Sequence, residues 1–208
     1  MVNAWNRIFS EKGDVFTEPH SGMERLEHIL RRKGGKKVLD LGCGTGRHLL
    51  FFAQKGYEVH GLDESPEALR RAKLWLTAKG FKANLKQQSF YEKLPYEDDF
   101  FDCVVSTNAI HHGMRYEVED TVEEAARVLK KGGLIFAVVP SDEGRKQKNM
   151  MKSARKIAKN TFFPTEGDEA GLIHFIFDKT SIYDIFYPFM LEIWKDCDGY
   201  WCILGEKE

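Results

Sequence analysis

The 208-residue sequence predicts an α/β fold, a doubly wound and mostly parallel sheet with helices on both faces. Three observations carry this. Short runs of Val, Leu, Ile and Phe alternate with segments of helical period from residue 37 to residue 139, and strands buried on both faces read as such apolar runs. The helical segments close on glycines at 34–35, 56, 80 and 132–133, the residue that ends helices in the left-handed conformation. The first apolar strand runs directly into Gly42, Gly44 and Gly46 before a new helix begins. Right-handed crossovers between such units give a doubly wound sheet, which binds ligands beyond the carboxyl ends of its strands, where strand order reverses.

Taken in order, residues 1–20 hold Trp5, Phe9, Phe16 and Pro19-His20 in no strand pattern and are expected to be irregular. Ser21-x-x-Glu24 is a capping-box signature for a helix with Met23, Leu26, Ile29 and Leu30 on one side, ended by Gly34-Gly35. Strand one is expected over 37–41 and a helix over 47–55. Strand two covers 57–62 and closes on Asp63. Ser65-Pro66 supplies an N-cap and a first-turn proline for the next helix, ended by Gly80. Strand three is expected over 84–88. Strand four, over 101–106, follows the acidic turn Glu97-Asp98-Asp99. A helix over 118–129 should end at Lys130-Lys131, cations at the negative end of its dipole, with strand five at 134–139. Beyond Pro140 the pattern weakens. A helix is expected within the basic segment, with Met151, Ala154, Ile157 and Ala158 on one flank, then a helix over 179–189 and strands at 190–194 and 201–204.

Composition narrows the function classes. Lysine plus arginine (31) nearly balance aspartate plus glutamate (32), which argues against a general nucleic-acid or membrane surface but not against a local basic patch. The longest apolar strand-like run, 134–139, is too short to span a bilayer. Trp5, Asn6, Arg7, Glu11 and Lys12 interrupt any signal-peptide core, so a cytoplasmic setting is expected. Cys43, Cys103, Cys197 and Cys202 form no CxxC pair. Neither a zinc site nor a redox motif is indicated, and no metal is expected.

The glycine turn decides the ligand class. Glycine lets backbone take positive φ and lie against a ligand, and a strand-to-helix turn aims free N–H groups above it. A dinucleotide fingerprint requires G-x-G-x-x-G. Counting from Gly42 puts Arg47 at the third glycine, and counting from Gly44 puts Leu49 there. A nicotinamide-dependent dehydrogenase is therefore disfavoured.

What stands is Asp40-Leu41-Gly42-Cys43-Gly44-Thr45-Gly46. This resembles the first motif of class I S-adenosylmethionine-dependent methyltransferases. The similarity extends through Gly61-Leu62-Asp63, Leu94-Pro95, Phe101-Asp102 and Leu129-x-x-Gly132-Gly133-Leu134. It is nearest to the small branch that includes quinone-biosynthesis enzymes. The resemblance implies a seven-stranded Rossmann-like sheet and methyl transfer from S-adenosylmethionine, with S-adenosylhomocysteine released. It implies a single domain over 1–208, with an N-terminal aromatic cap (1–20), a cofactor core (36–140), a variable acceptor and lid region (141–177) and a final helix and strands (178–208).

By the same resemblance, Asp40, Gly42, Cys43, Gly44 and Gly46 form the methionyl side of the cofactor site. Asp63, with Glu64, grips the ribose; the bland alternative is that Asp63 only caps the turn before Ser65. Many relatives carry an acid after strand three for the adenine, whereas Gln88-Ser89-Phe90-Tyr91 holds none, leaving Ser89 and Phe90 as candidates. Asn108 is the expected cofactor contact after strand four.

His112 and His174 are the candidate catalytic bases, because an unperturbed imidazole titrates near neutral pH. The alternative for His112 is packing under the loop or capping the next helix, and for His174 a structural hydrogen bond to its loop; for His111 a structural role is the favoured reading. The acceptor is expected to be a small molecule. Arg145 to Lys159 holds seven basic residues and no acid, which keeps an RNA acceptor as an alternative, as is a catalytically inactive cofactor-binding scaffold. Acceptor identity and oligomeric state are not readable from the chain.

Overall fold

Each strand of the sheet sends alternate side chains to opposite faces, and that alternation places the helices. The computed structural model describes residues 4–13, 16–144, 149 and 151–208. The elements are α1 (Ala4–Lys12), α2 (Gly22–Arg32), β1 (Lys37–Leu41), α3 (Arg47–Gln54), β2 (Glu58–Asp63), α4 (Pro66–Ala78), β3 (Asn84–Gln87), β4 (Phe101–Thr107), α5 (Arg115–Val128), β5 (Leu129–Val139), β6 (Ala154–Ala158), β7 (Thr161–Pro164), β8 (His174–Phe175), α6 (Lys179–Ile185), β9 (Phe189–Lys195) and β10 (Trp201–Lys207).

Seven strands form one sheet in the order β3-β2-β1-β4-β5-β10-β9. The first five are parallel, and β10 runs antiparallel between β5 and β9. Val38, Cys103, Val105, Leu134, Phe136 and Val138 pack against α2, α3 and α4. Their neighbours Leu39, Leu41, Val104, Ile135, Ala137 and Val139 pack against α5 and α6. A period of two in the strands thus makes two cores, one on each face. A separate three-stranded sheet, β6-β7-β8, lies in the region after Pro140.

The α4 start matches expectation. Ser65 Oγ accepts the Ala68 N–H at 3.1 Å, with Pro66 in the first turn. Ser65 Oγ also donates to Asn6 Oδ1 at 2.9 Å, and Asn6 Oδ1 accepts the Glu67 N–H at 3.1 Å. This bond pair docks α1 on the N-terminus of α4. Loss of an N-cap costs about 1 kcal/mol, so Ser65→Ala is expected to lower the melting temperature by about 2–4 °C. An unchanged melting curve would show that the cap contributes nothing to stability.

Four local expectations are corrected. The N-terminal segment is helical over Ala4–Lys12, because Trp5, Ile8 and Phe9 share one face and Ile8 and Phe9 are buried. The Ser21 capping box does not form: Ser21 has helical backbone (φ −56°, ψ −25°) and no side-chain cap bond. His20 takes over, its Nδ1 accepting the Gly22 N–H at 3.0 Å. Strand five starts at Leu129 rather than 134, so Lys130 and Lys131, which follow the end of α5 as expected, already belong to β5; Lys130 pairs with Asp102 at 2.7 Å. The basic segment is helical at Asn149 and over 151–153 but turns into a strand over Ala154–Ala158, where pairing with β7 overrides its helical spacing. Arg145, Lys146 and Lys148 lie outside the described residues. Among the described residues, no helix is long and apolar enough to cross a membrane.

Candidate active site

β1 and β4 are neighbours, and the strand order runs outward from them in both directions. The loops leaving their carboxyl ends therefore diverge and open a cleft. An open pocket of about 840 Å³, its solvent-facing mouth included, lies there, bordered by the 42–45 turn, Asp63 and Glu64 at the end of β2, Ser89–Tyr91 after β3, and Thr107–Ala109 after β4. Trp5, Phe9 and Phe16 cover it.

Gly42 lies at φ +71°, and a Cβ built there would stand 2.4 Å from the Ala109 Cβ. Only glycine lets the β1–α3 turn pass this close to the loop after β4. The turn is stitched to β2: Gly42 and Cys43 N–H donate to the Leu62 carbonyl at 2.8 and 3.1 Å. Gly44 N–H donates to Asp63 Oδ2 at 2.9 Å, and Gly46 N–H to the Cys43 carbonyl at 3.0 Å. The expectation of free N–H groups aimed at a ligand is thus corrected for these four: the end of β2 supplies the acceptors for Gly42, Cys43 and Gly44, and the Cys43 carbonyl within the turn supplies that for Gly46.

Asp63 has both roles within reach. Oδ1 accepts the Ser65 N–H at 2.9 Å, the capping bond that was the bland alternative. Each carboxylate oxygen has two acceptor positions, so one on each remains for a ligand, and the side chain borders the cavity. Burial pushes its pKa up to about 6, against the opposing pull of the two backbone N–H bonds.

Asp40 and Gly46 do not reach the lining. Asp40 is buried beneath the turn with Oδ2 3.6 Å from His48 Nδ1. His20 N–H donates to His48 Nε2 at 3.3 Å, which leaves the ring proton on Nδ1, facing Asp40. Burial holds His48 below its ordinary pKa. Gly46 faces α4, where a Cβ would meet Ala72 at 3.0 Å; it is a helix-packing glycine. Gly42, Cys43, Gly44, Asp63, Glu64, Ser89, Phe90, Asn108 and His112 all line the cavity. Asn108 has left-handed backbone (φ 56°), a conformation asparagine tolerates better than most residues.

A second, broader cavity shares Trp5, Phe16, Arg47, Asn108 and His112 with the first. It adds His111, His174 and Glu169, and also His20, Asp196 and Tyr200. His174 enters from β8, whose Phe175 N–H donates to the His111 carbonyl at 2.7 Å.

Solved structures share this fold. A Pyrococcus horikoshii protein aligns over the full length of both chains with a TM-score of 0.76 at 22% identity. An S-adenosylmethionine-dependent methyltransferase from Clostridium acetobutylicum aligns over 99% of both with a TM-score of 0.75 at 13% identity. In sequence, an uncharacterized methyltransferase of Synechocystis is 40% identical over 122 residues, 57% of this chain and 55% of that one. The ubiquinone biosynthesis O-methyltransferase of Klebsiella pneumoniae is 34% identical over 115 residues, 54% and 47% of the two chains. The chain spans about half the length of these curated relatives. The methyltransferase-domain family matches residues 38–133, from β1 into β5. Over that stretch the chain is thus similar to methyltransferase domains.

Motif reading missed several residues lining these cavities. Arg47 opens α3 yet borders both cavities. Its guanidinium donates to Thr107 Oγ1 at 3.1 Å and to the Glu18 carbonyl at 3.2 Å, and lies over Phe16 at 4.9 Å. A cation in the first turn of a helix opposes the macrodipole, and that misfit was the available signal for a functional arginine. Tyr91 and Leu172 carried no such signal. Each is an ordinary apolar or aromatic residue until a distant loop is folded beside it.

Proposed function

We propose that the domain transfers the methyl group of S-adenosylmethionine to a small-molecule acceptor held in the second cavity, releasing S-adenosylhomocysteine. The observation that carries this is the junction of the two cavities: one is bordered by the glycine turn and Asp63, the other by histidines, and they meet at Asn108 and His112. In this reading Asp63, with Glu64, holds the ribose hydroxyls. Because the turn's N–H groups bond internally, backbone carbonyls near Gly42, Cys43 and Gly44 meet the methionyl ammonium. Ser89 and Phe90 flank the adenine, and Asn108 closes the sulfonium side.

The acceptor's nucleophilic atom attacks the methyl carbon in line with the departing sulfur. The sulfonium is already activated, so positioning at about 3–3.5 Å is the domain's main task. His112 and His174 handle the acceptor's proton where it has one to lose. The N-terminal cap (1–20) places Trp5, Phe9 and Phe16 over the cofactor and excludes water. Residues 141–177, through Glu169 and His174, and 178–208, through Asp196 and Tyr200, shape the acceptor side.

Arg47 is assigned the methionyl carboxylate. Charged hydrogen bonds contribute about 1.5–3 kcal/mol. Arg47→Ala is expected to weaken S-adenosylmethionine binding about tenfold or more and to leave a decarboxylated analogue unaffected. Equal losses for both ligands in calorimetry would remove that assignment. The whole reading is tested by calorimetric binding of S-adenosylmethionine and S-adenosylhomocysteine, followed by radiolabelled methyl transfer to a panel of phenols, amines and thiols. A protein that ignores both nucleosides at millimolar concentration overturns it.

A further inference from the structure

We propose that His111, His112 and His174 form a site for a divalent transition-metal ion of the zinc class, open toward the acceptor cavity. One ring nitrogen from each lies within 4.8 Å of the other two. Zinc–imidazole bonds of about 2.0–2.1 Å in a tetrahedron place nitrogens about 3.4 Å apart, so side-chain rotations closing the cluster by roughly 1 Å complete the shell. The rings converge from the loop after β4 and from β8. The centroids of His111 and His112 are 3.9 Å apart, those of His112 and His174 4.6 Å, and those of His111 and His174 5.5 Å.

Two features favour an ion over a set of proton carriers. Glu169 places Oε2 3.5 Å from His174 Nε2, a carboxylate–imidazole pairing that orients the ring and offsets the ion's charge. The Phe175 N–H to His111 carbonyl bond of 2.7 Å ties the two contributing segments together.

A second cluster, His20, Asp196 and Cys202, lacks these properties. His20 Nδ1 accepts the Gly22 N–H at 3.0 Å, so the neutral ring carries its proton at Nε2, toward Asp196 at 3.3 Å. That nitrogen has no lone pair for an ion, and burial holds the Cys202 thiol up at about 12.

Three protein ligands leave a tetrahedral ion one open position, and here it faces the cavity that meets the cofactor pocket at His112. An acceptor hydroxyl or thiol coordinated there loses its proton to water. The resulting anion forms its bond to the methyl carbon as the carbon–sulfonium bond breaks and leaves its electron pair on sulfur. This role rests on the methyl-transfer reading above, and replaces direct proton abstraction by the histidines with coordination.

The test titrates chelator-stripped, full-length protein with Co²⁺, read by its visible absorption, and with Zn²⁺, read by competition with a chromogenic chelator. One ion per chain is expected. His111→Ala and His174→Ala should each weaken it at least about tenfold, with S-adenosylhomocysteine binding kept as the readout of folding. His111→Gln and His174→Gln give the same reading if an alanine variant fails to fold. His20→Ala and His28→Ala should bind the ion normally. No saturable binding, or binding that survives loss of His111 and His174, overturns the site. Protein that binds S-adenosylhomocysteine but no ion overturns this inference alone, and protein that binds the ion but neither nucleoside overturns the methyl-transfer reading alone.

Discussion

Replacing Asp63 with alanine is expected to lower affinity for S-adenosylmethionine about 10- to 150-fold, the loss of one charge-assisted hydrogen bond worth about 1.5–3 kcal/mol. The carboxylate borders the cofactor cavity while also accepting N–H bonds from Gly44 and Ser65, each at 2.9 Å. The substitution therefore frees two backbone donors as well as the ribose. The stability effect has the opposite sign in part. Burial raises this carboxyl from 3.8 to about 6, so between those values the folded state binds the extra proton, and the group's contribution to stability falls as pH rises through that window. Removing the acid relieves this penalty above pH 6 and offsets part of the loss of the two N–H bonds. Affinity should therefore change far more than melting temperature.

The same shift predicts a pH signature. In the proposed reading the ribose is held by the ionised carboxylate, so native affinity should be flat above about pH 7 and fall toward tenfold per pH unit below about 6. Asp63→Ala should lose that dependence. Calorimetry of both proteins across this range decides the matter, and unchanged affinity in the variant removes Asp63 from the site.

Gly42→Ala should damage folding and cofactor binding together. A left-handed backbone costs an L-residue about 1–2 kcal/mol. The new methyl would also lie 2.4 Å from the Ala109 Cβ and 3.3 Å from Phe90 Cε1, an overlap that costs about 1–3 kcal/mol to relieve. The expected sum of about 2–5 kcal/mol lowers the melting temperature by roughly 5–15 °C. Affinity falls too, because Ala109 and Phe90 line the cavity and must move.

Ala109→Gly in the same chain removes the clash and leaves the backbone strain, so the double variant should recover about half the loss. A Gly42→Ala protein that melts and binds like the native one would show that the turn has room the geometry denies.

The turn and β1 were legible because their signals are local. Apolar period, a terminal acid and alternating glycines all fall within ten residues, and the backbone they require is the one observed. The two-sided core followed from the same strands, since a period of two admits only one division of side chains between faces. Ser65-Pro66 was readable for the same reason.

The Ser21 cap was misread because its motif has two competing starts, and His20 accepts the N–H first. The basic segment's helical spacing was real, yet Ala154–Ala158 pairs with β7. A backbone ladder outweighs a weak amphipathic preference. Arg47 was passed over as the tail of a motif, although its position at a helix start was already anomalous.

Local pattern was enough to establish the parallel sheet, its glycine turn and the acid at position 63, because each depends on residues adjacent in the chain. Long-range packing alone brought His174 beside His111 and His112, laid Trp5 and Phe16 over the cleft, and stacked Arg47 on Phe16. These residues are separated by tens of positions. Their meeting is set by how loops close over a finished sheet, which no short-range periodicity encodes.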